Sequence, residues 1–232
     1  MKIAICMSGE PRGLKYAHKN LKHTFERNFY DYTLFGFIPL GLDTSSDFVK
    51  YFPNAIVKLE KDSPIDISGV PRSHELGINP RKSKEHGAQM YAQQMNGWKQ
   101  SNIIRKEYEE KNGVVFDFII RCRPDITFTR YNAPDIKDMR KDTIYIPDFH
   151  HHDGWNDRFC IASNKVIDYY MNIIDVFHED QSRANRAEIF LKYAILESNE
   201  RLKKDGQEGF RVEKVDIGFN RIRTDGTELE DS

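Results

Sequence analysis

The sequence predicts an α/β domain with a mostly parallel central sheet covered by helices on both faces. Three observations point there. Short apolar runs alternate with helix-spaced stretches through the first half of the chain. The 232 residues suffice for one domain with a sizeable core and are too few for two comfortable ones. The run Val114–Ile120, dense in apolar and β-branched residues, reads as a strand buried on both faces.

The elements follow in order. Residues 2–7 form the first central strand, broken by the turn chemistry of Ser8-Gly9-Glu10-Pro11-Arg12-Gly13. Leu14, Ala17, Leu21 and Phe25 recur at helical spacing, giving a helix from Leu14 to about Phe29. A strand, a glycine-containing turn and a helix are the local setting in which backbone N–H groups meet a phosphate. The glycines fit neither G-x-G-x-x-G nor a P-loop, so dinucleotide and NTPase readings lack support. Tyr32–Pro39 is a second strand and Ala55–Leu59 a third, with a short helix at Asp47–Tyr51 between them. The Pro- and Gly-containing stretch 61–82 is a long connection, either a flap over a ligand or simple disorder.

Ser83 caps a long helix reaching about Glu110 and closed by Asn112-Gly113, with Ala88, Tyr91, Met95 and Trp98 on its buried stripe. Gln89, Gln93, Gln94 and Asn96 near its start are solvated amides or ligand contacts. The strand ending in Arg121-Cys-Arg123-Pro-Asp125 comes next, then a polar connection from Tyr131 to Asp142. Thr143–Pro147 and Phe159–Ala162 are strands, Asn164–His178 and Arg186–Lys204 helices, and Phe210–Ile217 a late strand. The domain is expected to span 1–226, with 227–232 an acidic, disordered tail.

Charged residues make up 31% of the chain, yet the net charge is −1, and this balance without a basic block argues against nucleic acid as a partner. No apolar run is long enough to span a bilayer and no signal peptide is evident, so a cytoplasmic location is expected. Cys6, Cys122 and Cys160 lie far apart in strand-like runs and read as reduced core thiols.

The chemistry concentrates at Arg121, Arg123 and Asp125. On a continuous strand these odd-numbered residues share one face. Charges at the end of a buried strand are costly unless paired or used, and ligands of open α/β sheets bind beyond the strands' carboxyl ends. The cluster therefore reads as a site for a phosphorylated ligand and a divalent cation, or as a self-satisfied ion-pair network. The loop Asp148-Phe-His150-His151-His152-Asp153 holds hard and borderline metal ligands without a zinc-site spacing. Asp157, where that loop re-enters a strand, is placed to aim a carboxylate at a pocket or to pair with Arg158.

Taken together, Ile-Cys-Met-Ser-Gly-Glu-Pro-Arg12, Gln94-Met-Asn-Gly-Trp98, Phe116-Asp-Phe-Ile-Ile-Arg121-Cys-Arg123-Pro-Asp125 and Asn156-Asp157-Arg158-Phe159 resemble GT-A-fold glycosyltransferases. The likeness is strongest to the small glycosyltransferases encoded by large algal DNA viruses, and it spans most of residues 1–200. It implies a three-layer α/β/α domain that transfers a hexosyl or deoxyhexosyl group from a UDP-sugar to a hydroxyl of a glycan or glycoprotein acceptor. It also implies that Cys6, Met7, Ser8, Gly9, Arg12, Gln94, Arg121, Arg123 and Asp125 bind the nucleotide sugar. Asp157 is the corresponding candidate base if the reaction inverts configuration.

Members of that family hold Mn²⁺ or Mg²⁺ on a D-x-D motif. Here the matching triplet is Arg123-Pro124-Asp125, so Asp125 is the expected metal ligand, with His152 or Asp153 as a further one. Arg123 in the first position can neutralise the diphosphate in place of part of the cation's charge. A sugar-phosphate nucleotidyltransferase would need similar groups, but Ser8–Gly13 lacks the lysine such enzymes carry there. A non-catalytic nucleotide-sugar or carbohydrate-binding module remains the other alternative.

Overall fold

A computed structural model of the protein describes residues 1–40, 44–61, 63–70, 84–184 and 186–230. The strands are β1 (Ile3–Ser8), β2 (Tyr32–Pro39), β3 (Ile56–Glu60), β4 (Phe118–Cys122), β5 (Ile126–Tyr131), β6 (Thr143–Pro147), β7 (Phe159–Ser163), β8 (Arg211–Val215), β9 (Ile217–Ile222) and β10 (Glu228–Leu229). The helices are α1 (Leu14–Asn28), α2 (Ser45–Tyr51), α3 (Lys84–Asn112), α4 (Asp168–Met171), α5 (Ile173–Glu179) and α6 (Ala187–Lys204).

Seven strands form one sheet in the order β3-β2-β1-β4-β7-β6-β8. β7 runs antiparallel to both its neighbours and every other adjacent pair is parallel. The expected mostly parallel α/β sheet covered on both faces is therefore present. Strand alternation divides the core. Ala4, Cys6 and Ile119 face α3 and the α4–α6 group, whereas Ile3, Ile5, Met7, Phe118 and Ile120 face α1 and α2. Apolar residues on both faces account for the unbroken runs of β1 and β4.

Most elements lie within one or two residues of their expected limits. Four do not. Val114–Phe116 precede β4, and Val115 is 69% exposed. The expected helix over Asn164–His178 breaks at Asn172 into α4 and α5. The late strand divides at Asp216, where the chain leaves β8 beside β6 for β9 beside β5. Asn132 Nδ2 donates to the Asp216 carboxylate at 2.8 Å and Arg130 pairs with it as well, fixing that crossing.

The expected disordered tail also starts as structure, because β10 pairs antiparallel with β9 and Asn220 Nδ2 donates to Glu228 at 3.0 Å. Residues 231–232 lie outside the described set. So does most of the expected 61–82 flap, together with Ser83. Its described portion is pinned, since Gly69 N–H donates to Gln181 Oε1 at 2.8 Å and Gln181 Nε2 to the Asp66 carbonyl at 2.7 Å.

β5, β9 and β10 make a second, three-stranded sheet in the order β10-β9-β5, which the sequence did not announce. It packs on the α1 side of the main sheet through Phe128, whose ring meets Phe25 of α1, Phe159 of β7 and Phe219 of β9 at centroid distances of 6.3, 5.6 and 6.2 Å. Two glycines permit the close approaches. A methyl at Gly36 would fall 2.7 Å from the Phe48 ring, and one at Gly13 would fall 2.5 Å from Ile222 Cβ. Phe128→Ala is expected to lower unfolding stability by about 3–5 kcal/mol, the usual cost of emptying a phenylalanine site. Urea unfolding checks this, and a loss under about 1 kcal/mol would mean the second sheet is not anchored through that ring.

Candidate functional site

β1 and β4 end side by side, with Met7 opposite Cys122. The chain does not continue straight past Cys122. It turns at Pro124-Asp125 and enters β5 of the second sheet. The expected shared face of Arg121, Arg123 and Asp125 therefore does not form, because strand alternation holds only as far as Cys122. The three side chains take different positions, and two groups of residues meet at this turn.

On the α1 side, Asp125 is the centre. Its carboxylate takes both prongs of the Arg123 guanidinium, Nε to Oδ1 and Nη2 to Oδ2, each at 2.8 Å. This bidentate pairing is the stronger geometry for such a contact. Asp125 is 3% exposed, and a cavity of about 20 Å³ lined by Arg12, Arg123, Arg221 and Arg223 reaches it. That is room for about one water. Burial raises the Asp125 carboxyl, but Arg123 first, then Arg12 and Arg221, outweigh it and hold it below the usual carboxylate range.

The local sequence builds this cluster. Ile126 pairs with Arg221 across β5 and β9, and Ile222 N–H donates to the Asp125 carbonyl at 2.8 Å. Gly13, without a side chain, lets Ile222 lie against the start of α1, which brings Arg221 and Arg223 next to Arg12. Arg12 is also paired with Glu10 at 3.1 Å. Arg221 and Arg223 were not singled out from sequence. Their signal was the R-x-R spacing, which places both on one side of a strand end.

On the α3 side, the centre is Asp157. Gln94 of α3 donates through Nε2 to Asp157 Oδ2 at 2.7 Å and accepts at Oε1 from Arg123 Nη1 at 3.4 Å. One amide thus links the guanidinium to the carboxylate. The loop carrying Asp157 is braced. His150, His152 and Asp153 have left-handed backbones with φ of 49, 44 and 67°, and a side chain at Gly154 would strike the Glu188 carbonyl. Trp155 N–H donates to that carbonyl at 2.9 Å, and Asn156 Nδ2 to the Phe149 carbonyl at 3.0 Å. Asn156 Oδ1 accepts from Arg158 N–H at 2.9 Å, so Asp157 sits inside a fixed two-residue turn. Glu188, half-buried at the start of α6, is raised by burial and then by the nearby Asp157 charge.

Arg121 belongs to this side and is fully buried. Its guanidinium carbon stands 4.3 Å from the Trp98 ring centre, and Nη1 donates to the Asp157 backbone carbonyl. Nε and Nη2 have no hydrogen-bond partner among the described residues. Arg105, equally buried about two turns past Trp98 along α3, has partners for all three of its nitrogens in Asn102, Glu109 and Asn164. Arg105 is thus a completed structural network, whereas Arg121 lies beneath the loop that carries Asp157, with the Tyr170 side chain also against its guanidinium.

The other expected residues divide. Cys6 and Met7 are core side chains on opposite faces, and burial pushes the Cys6 thiol up to about 12. Ser8 lies under Gly97 of α3, its Oγ without a hydrogen-bond partner among the described residues. Gly9 has φ 107° and nothing within 4 Å of where a Cβ would stand, so the backbone there is open to an approaching ligand. His152 lies beside His150, their ring nitrogens 3.2 Å apart, and His151 pairs with Asp148 at 3.5 Å.

A divalent cation does not fit this arrangement. Both Asp125 oxygens are engaged by Arg123, and an added cation would meet the guanidiniums lining the cavity. No group of three or more His, Cys, Asp or Glu side chains placed to hold a metal occurs among the described residues.

No protein-family model matches the chain, and no curated protein matches it. Among solved structures it is similar to the crystal structure of a glycosyltransferase involved in the glycosylation of the major capsid of PBCV-1, at 11% identity and a TM-score of 0.45 over 93% of this chain and 82% of that one. No helix among the described residues is long and apolar enough to cross a membrane.

The depressed Asp125 carboxyl has a consequence for acid stability. The stabilisation from its ionised form is complete above the unfolded value of about 4 and is lost as pH falls through the lower folded-state value. Urea unfolding of the protein and of Asp125→Asn across about pH 2–6 is expected to show a stability difference that shrinks at the acid end. A difference independent of pH would mean that Asp125 does not fold as a carboxylate.

Proposed function

We propose that this protein is a glycosyltransferase that moves a sugar from a nucleotide diphosphate, with UDP the expected nucleotide, to a hydroxyl of a glycan acceptor. The observation that carries this reading is the Arg123–Gln94–Asp157 chain at the carboxyl ends of β1 and β4. Transfer to a hydroxyl needs positive charge where the diphosphate departs and a base where the acceptor loses its proton. Arg123 and Asp157 are two such groups, held at a fixed separation by one amide. The likeness of the sequence motifs to GT-A-fold enzymes supports the same reading.

The steps then follow from the residues. The donor lies over the open backbone at Gly9, its diphosphate toward Arg123 and Arg12. The bond between the anomeric carbon and the diphosphate oxygen breaks, and its electrons go to the diphosphate. Guanidiniums donate charge-assisted hydrogen bonds to that growing negative charge. The acceptor oxygen bonds to the anomeric carbon from the opposite side, and its proton passes to the Asp157 carboxylate. Gln94 keeps Asp157 oriented while its carbonyl holds Arg123, so both ends of the reaction share one reference point.

Asp157→Asn keeps the shape of the side chain and removes the base. Its rate of transfer is expected to fall by at least about 100-fold, while UDP binding measured by calorimetry changes little. The donor would first be found by a thermal-shift panel of nucleotide sugars, since a ligand that binds the native state raises its melting temperature. Full turnover in Asp157→Asn would remove Asp157 from the role of base. Absence of any nucleotide-sugar response across the panel would overturn the transferase reading itself.

A further inference from the structure

We infer that the cleft at the amino ends of β1 and β2 is a second binding site, which takes a neutral carbohydrate chain. The site stands on its own geometry and chemistry. That the carbohydrate is part of the glycan acceptor rests on the proposed transferase reading.

The cleft has a volume of about 550 Å³, within the range of about 300–1,000 Å³ usual for ligand pockets. It lies at the opposite end of the sheet from the Arg123–Gln94–Asp157 chain. Ile3, the first residue of β1, lies in its floor, whereas Ser8 is the last residue of that strand. The step from Ile3 to Ser8 along a parallel strand is about 17 Å at roughly 3.3 Å per residue. The cleft is therefore separate from the transfer site.

Two segments build its walls. α1 ends at Asn28, and Phe29 leaves it in extended conformation, its N–H on the Phe25 carbonyl at 2.8 Å. Phe29 turns inward against Tyr131, ring centres 6.0 Å apart, and the next residue, Tyr30, is left 98% exposed. Ile3 N–H donates to the Asp31 carbonyl at 3.0 Å, which ties this wall to the sheet. The other wall is the turn after β5. There Asp135 accepts from Lys137 N–H at 3.1 Å and pairs with the Lys137 ammonium, also at 3.1 Å.

The occupant follows from the chemistry of these walls. Arg27 and Lys137 are matched by Asp31 and Asp135, so the charged side chains of the lining balance. A phosphorylated ligand would find no surplus of cations, because Lys137 is already paired with Asp135. A wholly apolar ligand would strip water from these groups without replacing its hydrogen bonds. A sugar meets both conditions. Each hydroxyl donates and accepts, so it can bind a carboxylate, a guanidinium and an amide together, while the C–H face of the ring packs on an aromatic face. Arg27, Asn28 and Asp31 place planar polar groups in one wall, and Tyr30 and Tyr131 add aromatic rings that carry hydroxyls. Burial raises the Tyr131 phenol above its usual value, so it remains a donor at neutral pH. Tyr30 adds nothing to the core, and it stands at the cleft together with Met1, which is 55% exposed. Exposed apolar side chains gathered in one place mark binding surfaces, whereas scattered ones do not. A glycan long enough to reach both ends of the sheet would be retained here, raising the effective concentration of its other end at the transfer site.

The test titrates the full chain, labelled for amide NMR, with glucose, galactose, mannose, xylose and N-acetylglucosamine and with short oligosaccharides of each. At least one is expected to give saturable shifts in the amides of Asn28–Asp31 and Asp135–Lys137. Tyr30→Ala, an exposed change that spares the fold, is expected to weaken this binding about tenfold by removing a stacking face, and Tyr30→Phe to weaken it less than about threefold. In transfer assays Tyr30→Ala is expected to raise KM for an oligosaccharide acceptor, leaving kcat and the KM of a monosaccharide acceptor unchanged.

No shift at the cleft with any of these sugars would overturn the inference, as would unchanged sugar binding in Tyr30→Ala. Self-association abolished by Tyr30→Ala, followed by sedimentation velocity, would assign the cleft to a second copy of the chain instead. Pyrophosphate shifts at the cleft that Lys137→Gln removes would assign it to an anion. An oligosaccharide KM that Tyr30→Ala leaves unchanged would overturn the link to the acceptor. Sugar binding at the cleft of a protein that turns over no nucleotide sugar would keep this site and remove the transferase reading, and transfer without cleft binding would do the reverse.

Discussion

The two-pronged contact between Arg123 and Asp125 is the constraint on which the rest of the site depends. It closes across the turn where the chain passes from the main sheet into the second one. If the pair were broken, a buried carboxylate would face only more distant guanidiniums, and Arg123 would lose the plane that directs it toward Gln94. Removing one partner of such a pair typically costs about 3–5 kcal/mol, although the intact pair adds little over an apolar substitute. The arrangement is therefore sensitive to single substitutions without being a major source of stability. That asymmetry is characteristic of groups held for their position.

Positioning also explains the two buried arginines of the α3 side. Arg105 spends every nitrogen on side-chain partners and ties α3 to the segment before α4. Arg121 rests on Trp98 and gives one hydrogen bond, to the backbone of Asp157. A fully buried guanidinium with few hydrogen-bond partners is costly. It persists where surrounding packing fixes it, here between α3 and the row formed with Cys6 and Cys160 on the neighbouring strands.

Much of the fold was legible in the sequence because its strands are buried on both faces and its helices carry a regular apolar stripe. β1, β2, β4 and α1 follow from that alone. The second sheet was not, since β10 has two residues, β5 is partly exposed with a burial pattern that alternates only weakly, and β9, although mostly buried, carries Asn220 and Arg221 in its run. Pro124 was the available signal for the turn, because a proline cannot donate to a sheet ladder and does not continue a central strand. Reading the strand through Pro124 placed Arg121 with Arg123 and Asp125. Once the turn is recognised, Arg121 falls under α3 and the other two fall past the carboxyl end of β4. Gln94 was legible only as one of four amides, and what distinguishes it is tertiary: its side chain bridges Arg123 and Asp157.

The electrostatic plan that emerges is one of fixed cations. A metal ion concentrates two charges at one point but must be bound from solution and needs carboxylates beside an anionic ligand. Guanidiniums spread their charge over a plane, arrive with the fold, and match phosphate oxygens in pairs. Their cost is mutual repulsion, and one carboxylate placed among them lowers that cost. Asp125 does this from the inside, in contact with Arg123 and near enough to Arg12 and Arg221 for each to depress its carboxyl. The same carboxylate would repel an approaching phosphate if it were exposed. Burying it to 3% against Arg123 keeps the carboxylate paired, so the cluster stays assembled. The cluster's geometry is fixed by a three-residue turn together with a glycine that lets the second sheet come close.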